Sequence, residues 1–108
     1  MAAIQNLVID QGTTFSLIFN ITNADGTAKD LTSYTGSSHL RKSYYTNTYT
    51  AFTVAKDNLE GEITISLTAT QTSALKAGRY VYDVEILSNV ETLRVLEGII
   101  TVTPEATR

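Results

Sequence analysis

His39 is the only histidine in the chain, and an imidazole that titrates near neutrality is the first group to weigh as a general base or a metal ligand. It lies in the Ser/Thr-rich run Thr35-Gly-Ser-Ser-His39, with no serine nucleophile in an elbow and no second ligand nearby. It therefore reads as a surface strand residue. Asp83 and Glu85 sit two apart in an alternating run, which places their carboxylates on one outer strand face roughly 7 Å apart. A glycosidase pair can work at that spacing, but a solvated or salt-bridged strand face satisfies the same pattern. Asn23, Asp25, Thr27 and Asp30 offer oxygen ligands in one loop. Their spacing covers a fragment of a calcium loop and lacks the closing bidentate glutamate, so a turn is expected there. Asn20-Ile-Thr22 matches a glycosylation sequon that has no meaning without secretion.

Binding chemistry has a better candidate. Tyr44, Tyr45 and Tyr49 fall in the polar loop Ser43–Thr50, rich in Tyr, Thr and Asn. Tyrosine supplies rigid amphipathic contact area at low entropy cost, and recognition loops have this composition. The competing reading is a hairpin tip whose aromatic rings cap the end of the core.

The elements that position these groups follow from bulk composition and periodicity. At 108 residues with 43% hydrophobic content, the chain is one domain (residues 1–108) with a modest core. The net charge of −3 argues against a nucleic-acid binder, which needs a basic surface to displace counterions, and against docking on an anionic membrane. Without cysteine there is neither disulfide frame nor thiolate metal site, so packing and strand pairing must stabilise the fold. The start Met-Ala-Ala-Ile-Gln-Asn lacks the basic leader and apolar run of a signal peptide, which points to folding in a cytoplasm. No apolar stretch approaches the ~20 residues of a membrane helix.

Period-two alternation runs through most of the sequence, the mark of strands with one buried face. Phe15, Leu17, Phe19 and Ile21 share one parity, as do Ile63, Ile65 and Leu67, and Tyr80, Tyr82, Val84 and Ile86. Further strands are expected at Gln5–Ile9, Tyr34–Lys42, Ala51–Ala55 and Thr92–Thr103. The last one changes phase between Leu93/Val95 and Leu96/Ile100/Val102, and Gly98 beside the change predicts a bulge around Leu96–Gly98. Asn23-Ala-Asp25-Gly26 is turn chemistry. Thr70 to Lys76 is a short helical connector, with Thr70 as cap, Ala74 and Leu75 facing inward and Gly78 ending it. Gly78-Arg-Tyr80 after that turn resembles the tyrosine corner of immunoglobulin-type sandwiches. The expected fold is all-β, a single two-sheet antiparallel sandwich of the immunoglobulin kind. In that order the strand of Arg41 neighbours Tyr80–Leu87, so Arg41 is expected to pair with Asp83 or Glu85.

Several stretches together resemble small virion structural proteins of tailed bacteriophages, of the T4-like and cyanophage type, and the N-terminal sandwich domains of baseplate proteins. They are Asp10-Gln-Gly-Thr-Thr-Phe15, Asp30-Leu-Thr-Ser-Tyr34, Leu40-Arg-Lys42, Ile65-Ser-Leu-Thr-Ala69, Gly78–Glu85, Leu96-Glu-Gly98 and Thr101-Val-Thr-Pro104-Glu. The resemblance implies a non-enzymatic module of the particle without cofactor or metal, assembled in the bacterial host cytoplasm. Its partners would be other virion proteins and copies of itself, met through the sheet edges, the chain ends and the Ser43–Thr50 loop. Leu7 and Ile9 on the first strand and Tyr44, Tyr45 and Tyr49 in the loop are the contact candidates. The alternative is an adhesion or carbohydrate-binding module using residues 43–50.

Overall fold

A computed structural model describes residues 3–106. Met1, Ala2, Thr107 and Arg108, the chain ends expected to make contacts, lie outside the described residues. The expected seven strands are present, two of them broken: β1 (Ala3–Ile4) with β2 (Leu7–Asp10), β3 (Phe15–Asn20), β4 (Thr35–Arg41), β5 (Thr50–Ala51) with β6 (Thr53–Asp57), β7 (Glu62–Leu67), β8 (Gly78–Leu87) and β9 (Thr92–Thr103). One sheet has the order β1-β9-β8-β4-β5, with β2 also on β9, and the other has the order β3-β7-β6. Both sheets are antiparallel except where β1 and β2 run parallel to β9. That exception corrects the all-antiparallel expectation. Parallel neighbours need a long connection, and here nearly the whole domain lies between them.

The alternation in β7 and β8 becomes the core. Ile63, Ile65, Leu67, Tyr80, Tyr82, Val84 and Ile86 are buried. Phe15, Leu17 and Phe19 pack against that core but are only half-buried, because β3 is an edge strand whose one neighbour is β7. Phe52 breaks the β5–β6 strand. Its amide donates to Ser38 O at 2.9 Å, its neighbours on either side join different sheets, and its buried ring meets Phe15 and Tyr82 at centroid distances of 6.0 and 6.4 Å. It is the corner where the chain changes sheet.

The connector is helix α1 (Ala69–Ser73), and Thr68, not Thr70, caps it through a capping box with Gln71. A capping box needs Gln or Glu at the third helical position, which only the earlier start provides. Thr72, rather than Ala74, faces inward beside Leu75. Its hydroxyl donates to Thr13 O at 2.7 Å and accepts from the Gly12 amide at 3.1 Å. The Tyr80 hydroxyl donates to Lys76 O at 2.7 Å, which is the tyrosine corner. The β9 bulge falls at Val95: Val84 faces Leu96 while Glu85 faces Arg94. It lies one residue before the expected Leu96–Gly98. Gly98 has another role, since a Cβ there would come within 2.2 Å of Gln5 O.

Candidate functional site

Three surfaces carry the groups singled out above. The first is the outer face of β4, β8 and β9 with the loop that joins β4 to β5. Arg41 Nη1 donates to Thr46 O at 2.8 Å and pulls the loop back toward the sheet. Tyr49 then lies flat on His39, with ring centroids 3.9 Å apart and planes 16° from parallel. The Arg41 guanidinium is 4.8 Å from the same ring, within cation–π range. Tyr49 therefore packs on the outer sheet face, not on the end of the core. Tyr44 lines the groove beside it, and Tyr45 projects into solvent at 95% exposure. The three tyrosines do not form one cluster.

That groove, about 410 Å³, is lined by His39, Arg41, Tyr44, Asp83, Glu85 and Arg94 among others. His39 faces Asp83 across the β4–β8 ladder. Arg94 bridges the two carboxylates, at 3.4 Å to Asp83 and 3.9 Å to Glu85. Arg41 was expected in that position and is not there, because register sets it opposite Val81 and the loop takes its guanidinium. The bulge at Val95 instead brings Arg94 onto the acidic pair. The groove thus presents a half-exposed, internally neutralised patch of charge.

The second surface is the free edge formed by β1 and β2. Among the described residues nothing pairs with its outer side. Ile9 is 1% exposed and belongs to the core, and Leu7 packs against it. The expectation that Leu7 and Ile9 read a neighbour is corrected: they face the other sheet, which the interior needs to close. Their alternates point outward, with Val8 at 63% and Ile4 at 77% exposure. Ile4 and Val8 face Glu97 and Thr101 on β9, so Ile99 lies diagonally between them on the same outer face, itself partly exposed. A signal for this was present, since Ile4, Leu7, Val8 and Ile9 place apolar groups on both faces of one short strand.

The third is a seam of about 490 Å³ between the sheets, lined by Ala3 and Gln5 on the N-terminal side, Phe19–Thr22 and Leu93–Leu96. It opens on the same side as the free edge.

The Asn23–Asp30 loop is built as turns. Asp25 Oδ1 accepts from the Thr27 hydroxyl and amide at 2.6 and 3.0 Å, and Asp30 does the same with Thr32. The threonine hydroxyls hold both carboxyls below their usual pKa range. Gly26 turns the chain at a φ of 87°.

These strand orders define an immunoglobulin-like β-sandwich domain. No protein-family model matches the sequence, and no curated protein matches it. Among solved structures the chain is similar to InlP of Listeria monocytogenes, with a TM-score of 0.53 and 15% identity over 94% of this chain and 28% of that one. It also aligns with the N-terminal four Ig domains of Dscam1 isoform 6.9, with a TM-score of 0.45 and 17% identity over 94% of this chain and 23% of that one. The chain spans about a quarter of the length of either structure. At 15% identity the likeness to InlP concerns the fold alone.

Proposed function

We propose that this chain is a non-catalytic building block of a tailed-bacteriophage particle that binds neighbouring virion proteins and copies of itself. The observation that carries the reading is the free, largely apolar β1–β2 edge. Soluble sandwiches usually protect a free edge with charge or proline, whereas this one carries a single charge at its end, Asp10, and otherwise turns outward Ile4 and Val8, 77% and 63% exposed. An edge of that kind takes up a partner by strand addition, with outward side chains selecting the partner. The exposed Tyr45 and the half-exposed Tyr44 offer a second contact. The stretches that resemble virion modules suggest the setting, and the outer-face groove, whose two carboxylates are offset by Arg94 and Arg41, favours a structural role over a reactive one. Adhesion through the 43–50 loop is the second reading, favoured by the way Tyr44 borders the polar groove.

The test is incorporation. Removing residues 2–9 would strip Ile9 from the core, so surface changes are the cleaner choice: Ile4→Lys with Val8→Lys, and Tyr44→Ser with Tyr45→Ser. Both pairs should leave a cooperatively folding domain that is missing from purified virions by mass spectrometry. Normal incorporation of the combined variant defeats the proposal. Incorporation of the edge variant alongside loss of cell binding in the tyrosine variant would favour adhesion instead.

A further inference from the structure

We infer that the occupant of the β1–β2 edge is a second copy of this chain, paired antiparallel to the first about a twofold axis at Val8. The inference rests on the assembly reading above and names its partner.

The backbone sets which groups are available. The Gln5 and Gln11 amides donate to Glu97 and Thr103 on β9, and residues bonded to a parallel neighbour alternate along the strand. The N–H and C=O of Val8 and the N–H of Asp10 therefore point away from β9. The Asp10 carbonyl is already taken by the amide and hydroxyl of Thr13 at 3.2 and 2.7 Å, which ends the usable edge. A strand edge this short, with a donor and an acceptor on one central residue, matches itself when a copy is rotated by a half-turn. Only an antiparallel pairing of like edges is self-complementary in this way.

Side chains select the register. With Val8 facing Val8 of the second copy, two exposed β-branched residues pair directly, a favourable cross-strand combination. Ile4 and Ile99 of each copy extend that apolar strip on the same outer face. Asp10, the one charged residue of β2, then falls opposite Asn6 of the mate. The two Asp10 carboxylates stay four residues apart, about 14 Å, so a pair of chains each carrying −3 meets without facing like charges. Shifting the register by two residues sets Val8 against Asn6 and loses the apolar pair.

The absence of cysteine from the sequence makes a direct test available. Facing Cα atoms in a hydrogen-bonded antiparallel pair are about 5.5 Å apart, a distance that a disulfide spans. The Val8→Cys variant should crosslink rapidly to a dimer under mild oxidation, while Ile18→Cys and Val90→Cys, also at exposed positions, should remain monomeric. Sedimentation of the unmodified chain should show a concentration-dependent shift from monomer to dimer mass, abolished in Val8→Lys. Crosslinking of Val8→Cys no faster than of the two controls, or dimerisation that survives Val8→Lys, overturns the inference. A chain that sediments only as monomer yet enters virions also overturns it while leaving the assembly reading intact. A Val8-dependent dimer absent from virions supports the contact and removes the assembly reading.

Discussion

The Tyr82 hydroxyl donates to the carbonyl of Gln5 at 2.6 Å, across 77 positions of sequence. It joins the middle of the core to the break in the N-terminal strand. Gln5 N–H bonds Glu97 O, so in an unbroken parallel ladder the Gln5 carbonyl would accept from Ile99 N–H. The chain bends here instead. Tyr82 satisfies the carbonyl, and Asn6 Oδ1 accepts from the Ile99 amide at 3.1 Å. The break is thus closed by two side chains, and it sets the position of Val8 on the free edge.

Tyr82→Phe should destabilise the domain by about 0.5–1.5 kcal/mol, the net worth of a partly buried hydrogen bond, measured by urea denaturation. The same residue predicts an alkaline response. Burial pushes the Tyr82 hydroxyl up to about 12 from its ordinary 10.0. The folded state therefore favours the neutral phenol, and this contribution is complete below pH 10. It is lost as pH rises from 10 toward 12, where the unfolded chain ionises first. The slope of stability in that window should be shallower in Tyr82→Phe. An unchanged slope would show that Tyr82 is not its source.

Gly98→Ala tests the same junction from the other strand. The added Cβ would meet Gln5 O at 2.2 Å and the Gln5 carbonyl carbon at 2.8 Å, and backbone cannot swing aside as a flexible side chain can. Overpacking of this kind costs about 1–3 kcal/mol. It should act locally by lifting β1 off β9, so amide exchange at Gln5 and Ile99 should quicken while Ile65 stays protected. Uniform loss of protection would instead indicate global unfolding.

What was legible in the sequence was local. The parities of Ile63–Leu67 and Tyr80–Ile86 carried directly into the core, and Gly78-Arg-Tyr80 carried into the hydrogen bond with Lys76. What was not legible depends on how distant strands meet. Leu31 lies in a polar turn with no periodic partner, yet it is fully buried, held by its amide on Asn58 O at 2.9 Å and by Lys56 Nζ on its own carbonyl at 3.1 Å. Arg94 replaces Arg41 beside Asp83 because one unpaired residue, Val95, shifts the β8–β9 register. The first strand is apolar on both faces, so alternation does not fix which side turns inward. The expectation sets Leu7 and Ile9 outward, where the structure turns them into the core and Val8 out.

Leu17 and Ile65 face each other across the β3–β7 ladder, yet they should not be equally costly to truncate. Ile65 is fully buried, and Ile65→Ala should cost ~2–5 kcal/mol. Leu17 sits on an edge strand and is half-buried, so its removal leaves a site that water and neighbouring side chains can refill. Leu17→Ala should therefore cost less than Ile65→Ala in the same denaturation experiment. The reverse order would mean that the β3 edge is covered in solution.

The two arginines of the outer face should differ in the same manner. Arg94 holds Asp83 and Glu85 at 3.4 and 3.9 Å with its side chain 49% exposed, where solvent and salt screen such pairs to ~0–1 kcal/mol. Arg94→Ala should change stability by no more than that, and the difference should shrink further at high salt. Arg41 is less exposed and has two uncharged partners, Thr46 O at 2.8 Å and the Tyr49 ring at 4.8 Å. Neither contact depends on a counter-charge, so salt should leave them largely in place. A charged hydrogen bond contributes about 1.5–3 kcal/mol, so Arg41→Ala should cost more than Arg94→Ala and release the loop. Freed from Arg41, Tyr49 should lift off His39, read as loss of the nuclear Overhauser contacts between the two rings. Contacts that persist in Arg41→Ala would show that the loop is held by the Tyr49–His39 stack alone.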